Sequence, residues 1–224
     1  MIARARILLL LPAVALLWGG CCHTVTPVSE SGWRPLFDGT SLDGWKMTGP
    51  GELKLEQGEL VTHGGMGLLW YSREKLGDCE VRIRFQLSAK DDNSGVFIRI
   101  PEPPSDPWYA VNHGYEVQIA NTGDDRHRTG CLYSLTTARN TVDARIHEWS
   151  TMLIRLEGLR TVVSLDGQLI TDYTEGEPVP PKKNDTEPDR GLRPNRGYIG
   201  LQNHGEPARV HFQNVSVRPL AKSR

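Results

Sequence analysis

The sequence predicts an all-β protein, a sandwich or a jelly roll built from many short strands. Apolar and polar residues alternate over short stretches, most clearly over the nine residues Cys79–Leu87. The 224-residue chain contains 23 Gly and 15 Pro, a composition typical of strands joined by tight turns. No stretch shows helical periodicity over more than two turns. The spacing of the extended segments indicates roughly ten to thirteen strands.

The individual strands follow from alternation and from turn dipeptides between them. A hairpin is predicted over 53–62 around Gln57-Gly58, and a meander over 149–173 with Asp166-Gly167 as its second turn. The other predicted strands are 67–71, 79–87, 93–100, 114–120, 130–135, 197–203 and 208–218. The polar segment Glu175–Arg196 has five prolines and is predicted to be an irregular loop.

The first 22 residues have the pattern of an export signal. Arg4 and Arg6 precede an apolar run, Ile7–Leu17, whose eleven residues are too few to span a bilayer. Cys21 follows two glycines, which makes it a candidate lipidation site, with ordinary signal cleavage as the alternative. We therefore expect an exported protein of the periplasm or cell envelope, in contact with the membrane only through a possible lipid anchor.

The remaining chain divides into a polar tether, 23–31, and one domain, 32–220. Its charge is balanced, with 26 basic against 27 acidic residues, so no basic surface for nucleic acid is predicted. Export of the protein permits a disulfide between Cys79 and Cys131. The alternative is that both are buried free thiols. The sequence does not indicate an oligomeric state.

A proline-rich connection, Pro101–His113, links two of the predicted strands. Its four prolines exclude a ladder strand, so we expect a long loop. Trp108 on this loop is a residue type that stacks on sugars; the alternative is that the loop's aromatic residues cap the edge of the core.

Strand periodicity predicts a shared polar face on the two strands that flank this connection. Arg99 on one strand and Glu116 with Gln118 on the next are expected to lie on it. Gln202 and His204 are two residues apart and therefore share a face of a later strand. Each has an ordinary structural explanation, such as a cross-strand ion pair between Glu116 and Arg99 or a hairpin turn at His204-Gly205.

Several motifs occur in a specific order along the chain. They are F-D-G-T-S-L-D-G-W, N-S-G-V-F-I-R, G-Y-E-V-Q-I, T-G-C-L-Y, V-S-L-D-G-Q-L-I and G-Y-I-G-L-Q-N-H-G. Over roughly 32–220 this order resembles the 3-keto-disaccharide hydrolase domain family. The resemblance implies a concanavalin A-like jelly roll of two curved antiparallel sheets, one with a sugar-binding face. Cys131 departs from the family, which usually has alanine there.

The strand that carries Glu116 does not support a conventional two-carboxylate glycosidase. Such enzymes need two carboxyl groups about 5–9.5 Å apart. Here the strand reads Glu116-Val-Gln118-Ile-Ala-Asn121, so that only Glu116 ionises. The 3-keto substrate implied by the resemblance needs one base, because the ketone at C3 acidifies the proton at C2.

Each role in that chemistry has candidates in the sequence. Glu116 or His204 is the expected base, and His204 or Tyr133 the expected donor to the leaving oxygen. Asn93, Arg99, Trp108, Gln118, Tyr133 and Gln202 are the expected substrate-binding residues. No cofactor is expected. The histidines are scattered, and acidic pairs such as Asp91-Asp92 and Asp124-Asp125 are more typical of turns, so no metal site is predicted.

Three functions are compatible with these observations. The first is an exported enzyme that cleaves 3-keto-glycosides, by elimination and hydration or by direct hydrolysis. The second is a non-catalytic carbohydrate-binding module, because jelly rolls serve both purposes. The third is an interaction domain of the cell envelope without sugar affinity.

Overall fold

The computed structural model describes residues 32–221. Within them it has thirteen strands and one short helix, which confirms the jelly-roll prediction. The elements are β1 (Arg34–Phe37), β2 (Trp45–Thr48), β3 (Glu52–Glu56), β4 (Glu59–His63), β5 (Gly67–Tyr71), β6 (Cys79–Leu87), β7 (Asn93–Ile100), α1 (Pro107–His113), β8 (Tyr115–Ala120), β9 (Ser150–Glu157), β10 (Arg160–Leu165), β11 (Gln168–Thr174), β12 (Tyr198–Asn203) and β13 (Val210–Pro219). The expected signal segment with Cys21, and the tether, lie outside the described residues.

The strands form two antiparallel sheets. One has eight strands in the order β11-β10-β9-β6-β13-β4-β3, with β1 paired to β13. The other has five strands in the order β2-β5-β12-β7-β8. Because β12 lies between β5 and β7, segments far apart in sequence become neighbours in this second sheet.

The core between the sheets is built from the alternating apolar positions. Val81, Ile83 and Phe85 of β6 are fully buried, whereas Arg82 and Arg84 between them are half-buried. On the facing sheet, Val117 and Ile119 of β8 belong to the same core. The two domain cysteines are buried and free, so no disulfide joins them.

A second apolar cluster lies on the outer face of the five-stranded sheet and positions the helix. Leu68, Trp70 and Phe97 from the strands pack there against Ala110 and Val111 of α1. Burial of this helix face explains why the proline-rich connection returns across the sheet instead of extending into solvent.

The prediction that this connection is an irregular loop is wrong in its second half. Asp106 caps α1, its carboxylate accepting a hydrogen bond from the Tyr109 amide at 3.0 Å, and Pro107 occupies the first turn. Aspartate followed by proline is a helix-start signal. The helix has seven residues, and no helix within 32–221 has the length and apolar character needed to cross a membrane.

The predicted strand 130–135 is also not formed as a regular strand. Its backbone follows the edge of β8 through separate hydrogen bonds, from the Gln118 amide to the Cys131 carbonyl and from the Tyr133 amide to the Glu116 carbonyl, both 2.9 Å. Ser134 has a left-handed backbone with φ of 63°, which turns the chain away from the ladder.

A bulge near the end of β7 changes which residues share a face. Tyr198 of β12 pairs with Ile100, but Gly200, two residues on, pairs with Phe97, three residues back. The extra residue is accommodated where Arg99 adopts a φ of 56°. Ile100 therefore joins Phe97 on the outer face instead of following the predicted alternation.

The bulge also removes Arg99 from the face that carries Glu116. Its side chain is fully buried, and the guanidinium donates to the carbonyl oxygens of Gly158 at 2.9 Å, Arg160 at 3.2 Å and Pro194 at 3.0 Å. The prediction that Arg99 shares a polar face with Glu116 is wrong. Its contacts join β7 to the turn of the β9–β10 hairpin.

Candidate functional site

A polar cleft lies on the outer face of the five-stranded sheet. It holds about 160 Å³, below the roughly 300–1,000 Å³ typical of pockets for drug-sized ligands, and so suits one small ring. Every predicted catalytic or binding residue of the domain lines it except Arg99. The lining residues are Met66, Asn93, Trp108, Val111, Glu116, Gln118, Tyr133, Thr186, Gln202 and His204.

Gly95 of β7 creates the space in which the Glu116 carboxyl lies. Its strand runs between β8 and β12, and it pairs directly with Gln118. A Cβ atom at position 95 would come within 2.4 Å of Glu116 Oε1 and 2.7 Å of its Cγ. The sequence analysis placed Gly95 in the predicted strand 93–100 but gave it no role, although glycine inside a strand pattern marks close approach.

Burial controls the protonation of Glu116. The residue is only 7% exposed. Removal of the carboxylate from water raises its pKa to about 8, and hydrogen bonding by Gln202 opposes this only in part. A carboxyl group with such a pKa is able both to hold and to release a proton near neutral pH.

Two glutamine side chains complete the base of the cleft. Gln118 donates from Nε2 to Asn93 Oδ1 at 2.7 Å, and Ser94 Oγ donates to the backbone carbonyl of Gln202 at 2.7 Å. The Oε1 atoms of Gln118 and Gln202 are buried and have no hydrogen-bond partner. With the Glu116 carboxyl over Gly95, these two glutamines form what we call the floor of the cleft.

Two groups able to donate a hydrogen bond stand at the sides of the cleft. His204 follows β12 at the exposed rim, where partial desolvation lowers the pKa of its ring. Burial, and then the negative charge of Glu116, raise the pKa of the Tyr133 phenol. Both rings are therefore neutral at pH 7, and both carry a hydrogen that a ligand oxygen can accept.

The opposite side is apolar. Trp108 of α1 is 49% exposed beside the cleft, with Val111 and Met66 next to it. An exposed indole beside a polar floor is suited to stack on the apolar face of a sugar ring.

The segment 175–196 has no regular strand or helix, as predicted, yet it is anchored on both sides of the cleft. Arg190 donates to Ser134 Oγ at 3.2 Å, next to Tyr133, and to the buried Glu187 carboxylate at 3.0 Å. Thr186, which lines the cleft, belongs to the same turn. No sequence signal singled out Thr186 or Arg190.

A second buried arginine joins this segment to the helix. Arg193 donates to the backbone carbonyls of Asn112 at 2.8 Å and Gly114 at 2.9 Å, at the end of α1. Its own amide donates to the Glu175 carboxylate at 2.7 Å. The segment therefore connects the Tyr133 side of the cleft with the Trp108 side.

The cleft suits proton transfer on a neutral polyhydroxyl ligand. Of the residues that line it, Glu116 is the only carboxylic acid, so the paired carboxyl groups of conventional glycosidases are not offered by its lining. Within residues 32–221, no three His, Cys, Asp or Glu side chains cluster in a way that could hold a metal ion.

Comparisons with known proteins agree with the sugar-related character of the cleft. A family model described as 3-keto-alpha-glucoside-1,2-lyase-like domain matches residues 32–218. No curated protein matches the chain.

Solved structures show the same fold at low identity. Two proteins of Parabacteroides distasonis, each provisionally assigned as a glycosyl hydrolase, superpose with TM-scores of 0.67 and 0.65 at 20% and 24% identity. The first match covers 85% of this chain and 94% of the other, the second 84% and 99%. Carbohydrate-binding module CBM66 from Bacillus subtilis has a TM-score of 0.51 at 16% identity, covering 78% and 95%.

Proposed function

Because the chain belongs to the family of 3-keto-alpha-glucoside-1,2-lyase-like domains, a carbohydrate-active, glycosyl hydrolase-like family, we propose that it is an exported enzyme that cleaves 3-keto-glycosides. The observation that carries this proposal is the buried Glu116 carboxyl, a single acid over Gly95 in a cleft without a second carboxyl group. One base suffices when the substrate carries a ketone next to the proton that is removed.

The proposed reaction begins with proton transfer at C2. Glu116 takes the C2 proton, and the electron pair of the C2–H bond forms an enolate with the C3 ketone. The enolate then expels the oxygen at C1, which takes a proton from the Tyr133 hydroxyl. This leaves a double bond between C1 and C2. Addition of water, OH to C1 and H to C2, gives the free 3-keto sugar, and the proton held by Glu116 passes through solvent to Tyr133, so that both residues are restored and the overall change is hydrolysis.

The surroundings of Glu116 support its role as the base. Its raised pKa makes the carboxylate a stronger base than an exposed one, and the neutral Tyr133 and His204 are suited to hydrogen-bond the developing enolate oxygen. Trp108 provides a surface for the sugar ring. Asn93, Gln118 and Gln202 supply polar contacts for its hydroxyl groups.

Substitution of Glu116 distinguishes this enzyme from a non-catalytic binding module. The exposed Trp108 and the fold shared with CBM66 are also compatible with a binding module. We expect wild type to release reducing sugar from a 3-keto-disaccharide, and Glu116→Gln to lose roughly 10²–10⁴-fold in rate while sugar binding measured by calorimetry persists. Glu157→Gln, in the exposed end of β9 on the other sheet, is the matched control and should retain full activity.

Wild type that binds the 3-keto-disaccharide and leaves it intact would contradict the enzyme and favour the binding module. Wild type that binds no sugar would favour the envelope interaction domain.

Export and lipid attachment are proposed from residues 1–22 alone. We expect the full chain to appear in the membrane fraction of expressing cells and to incorporate a fatty-acid label, and Cys21→Ser to lose the label. Release of unlabelled wild-type protein into the soluble periplasm would favour ordinary signal cleavage, and retention in the cytoplasm would contradict export.

A further inference from the structure

The floor of the cleft contains two buried hydrogen-bond acceptors that no group within residues 32–221 satisfies. Gln118 and Gln202 are 2% and 3% exposed, and their Oε1 atoms have no hydrogen-bond partner. Leaving a buried carbonyl oxygen without a donor costs free energy, so native proteins rarely do so. Since both residues line the cleft, the missing donors are expected to come from a ligand.

The remaining contacts of the two amides determine which of their atoms are left unpaired. Gln118 uses Nε2 to donate to Asn93, which leaves its Oε1 as the free atom. Gln202 hydrogen-bonds the Glu116 carboxyl. This hydrogen bond favours the ionised carboxylate, which only accepts, so in that state Gln202 donates from Nε2, and its Oε1 has no hydrogen-bond partner.

The charge of the lining excludes an anionic ligand at this position. None of the residues that line the cleft is Lys or Arg, and the one ionisable acid, Glu116, lies on the floor itself. A uronic acid or a sugar phosphate would bring its charge against a carboxyl group and two carbonyl oxygens, without a cation to compensate.

We propose that the floor recognises two hydroxyl groups of a neutral sugar ring through Gln118 Oε1 and Gln202 Oε1, on either side of Gly95. A ketone has no hydrogen to donate, so it is turned away from these two oxygens and toward the Tyr133 hydroxyl and the His204 ring. The position of the ketone rests on the proposed function, whereas the recognition of hydroxyl groups does not.

The test is a set of binding cycles by calorimetry, using a plain glucoside and analogues that each lack one hydroxyl group. The proteins are wild type, Gln118→Met and Gln202→Met. Methionine has similar length and removes the unpaired Oε1, but it also removes the Nε2 donor to Asn93 or to Glu116, so the melting temperature of each variant is measured to show that it is folded at the temperature of the binding experiment. For wild type, loss of a hydroxyl that faces the floor should weaken binding about ten- to hundredfold.

Coupling between a substitution in the protein and the loss of a hydroxyl group from the ligand identifies which side chain contacts which hydroxyl group. Loss of one hydroxyl should cost nothing further in Gln118→Met, and loss of a second should cost nothing further in Gln202→Met. A glucuronide should bind at least tenfold more weakly than the glucoside. The inference is overturned if no glucoside binds, if the glucuronide binds as well, or if every analogue loses the same factor in all three proteins. Coupling without cleavage of the 3-keto-disaccharide would keep this inference and contradict the proposed function.

Discussion

Glu116 occupies a position that is unfavourable for a carboxylate and favourable for a base. The backbone of β8 directs its side chain onto the sheet, and Gly95 allows the carboxyl to lie flat over β7. Burial then penalises the ionised form, because neither Lys nor Arg is among the residues that line the cleft to compensate for the lost water. Positions of this kind are expected at functional sites, where stability is given up for reactivity.

The raised pKa of Glu116 predicts a specific dependence of stability on pH. The folded protein holds this proton up to about pH 8, whereas an unfolded chain releases it near 4.5. The folded state thus binds more protons in this interval, and the contribution of Glu116 to stability is lost as the pH rises through 8. Glu116→Gln should gain on the order of 3–5 kcal/mol relative to wild type between pH 5 and pH 9, measured by urea unfolding.

Glu187→Gln provides the opposite control. Burial raises the pKa of Glu187, but hydrogen bonds from the Lys183 amide, Ser134 and Arg190 outweigh it, so the pKa is lowered. This variant should therefore be less stable than wild type at pH 7 and above. A stability difference between Glu116→Gln and wild type that does not change with pH would contradict the assignment of Glu116.

Single residues differ in how far the sequence could predict them. Glu116 and Gln118 follow directly from strand alternation, which holds throughout β8. Arg99 does not, because a bulge with positive φ at a residue other than glycine has no reliable sequence signature. Thr186 reaches the cleft through a loop whose path depends on contacts made by Arg190 and Arg193, and no local pattern encodes them.

At the level of elements, segment 175–196 connects the two sides of the cleft. Arg190 holds the chain at Ser134, and Arg193 holds the end of α1. Loops without secondary structure are usually mobile, but here guanidinium groups donate to backbone carbonyls that would otherwise be unpaired. This arrangement gives Tyr133 and Trp108 fixed positions relative to the floor.

Arg190 is therefore expected to be a positioning residue for Tyr133. The paired change Arg190→Met with Glu187→Met removes both charges at once and avoids leaving one of them buried alone. We expect kcat to fall roughly ten- to hundredfold with KM changed less than threefold, because misplacement of a proton donor affects the reaction more than binding. Steady-state kinetics at a temperature well below the melting point of the variant provides the measurement.

Lys182→Met is the control in the same segment, because its ion pair with Asp189 is largely exposed and should contribute little. An equal rise in KM and fall in kcat for the paired variant, or an unchanged kcat, would indicate that the segment only stabilises the fold.

The helix shows a second limit of sequence reasoning at this scale. The prolines of 101–113 correctly exclude a strand, but a loop prediction based on composition does not take the helix-start signal Asp106-Pro107 into account. The buried face of α1 has only three residues, Pro107, Ala110 and Val111, too few for a periodicity argument. Packing on Trp70 and Phe97, which is a long-range interaction, decides that the helix forms.

For the whole molecule, the fold was predictable because its signals are local. Alternation and turn dipeptides mark most of the strands, and a sandwich is the usual way to bury their apolar faces. The order of the strands is not local. The strand order β2-β5-β12-β7-β8 places Gln202 and Glu116 on the same floor, although they are far apart in sequence. No local pattern around either residue shows this, so the motif order of the family was needed to place them together.

The central claim is that Glu116 removes the C2 proton of a 3-keto-glycoside, and running the reaction in D₂O tests it most directly. Wild type should release a 3-keto sugar that carries deuterium at C2, while Glu116→Gln should neither cleave the substrate nor introduce deuterium. The released sugar incubated with Glu116→Gln for the same time measures spontaneous exchange. Complete turnover by wild type to a product that keeps only its original hydrogen at C2 would contradict the account.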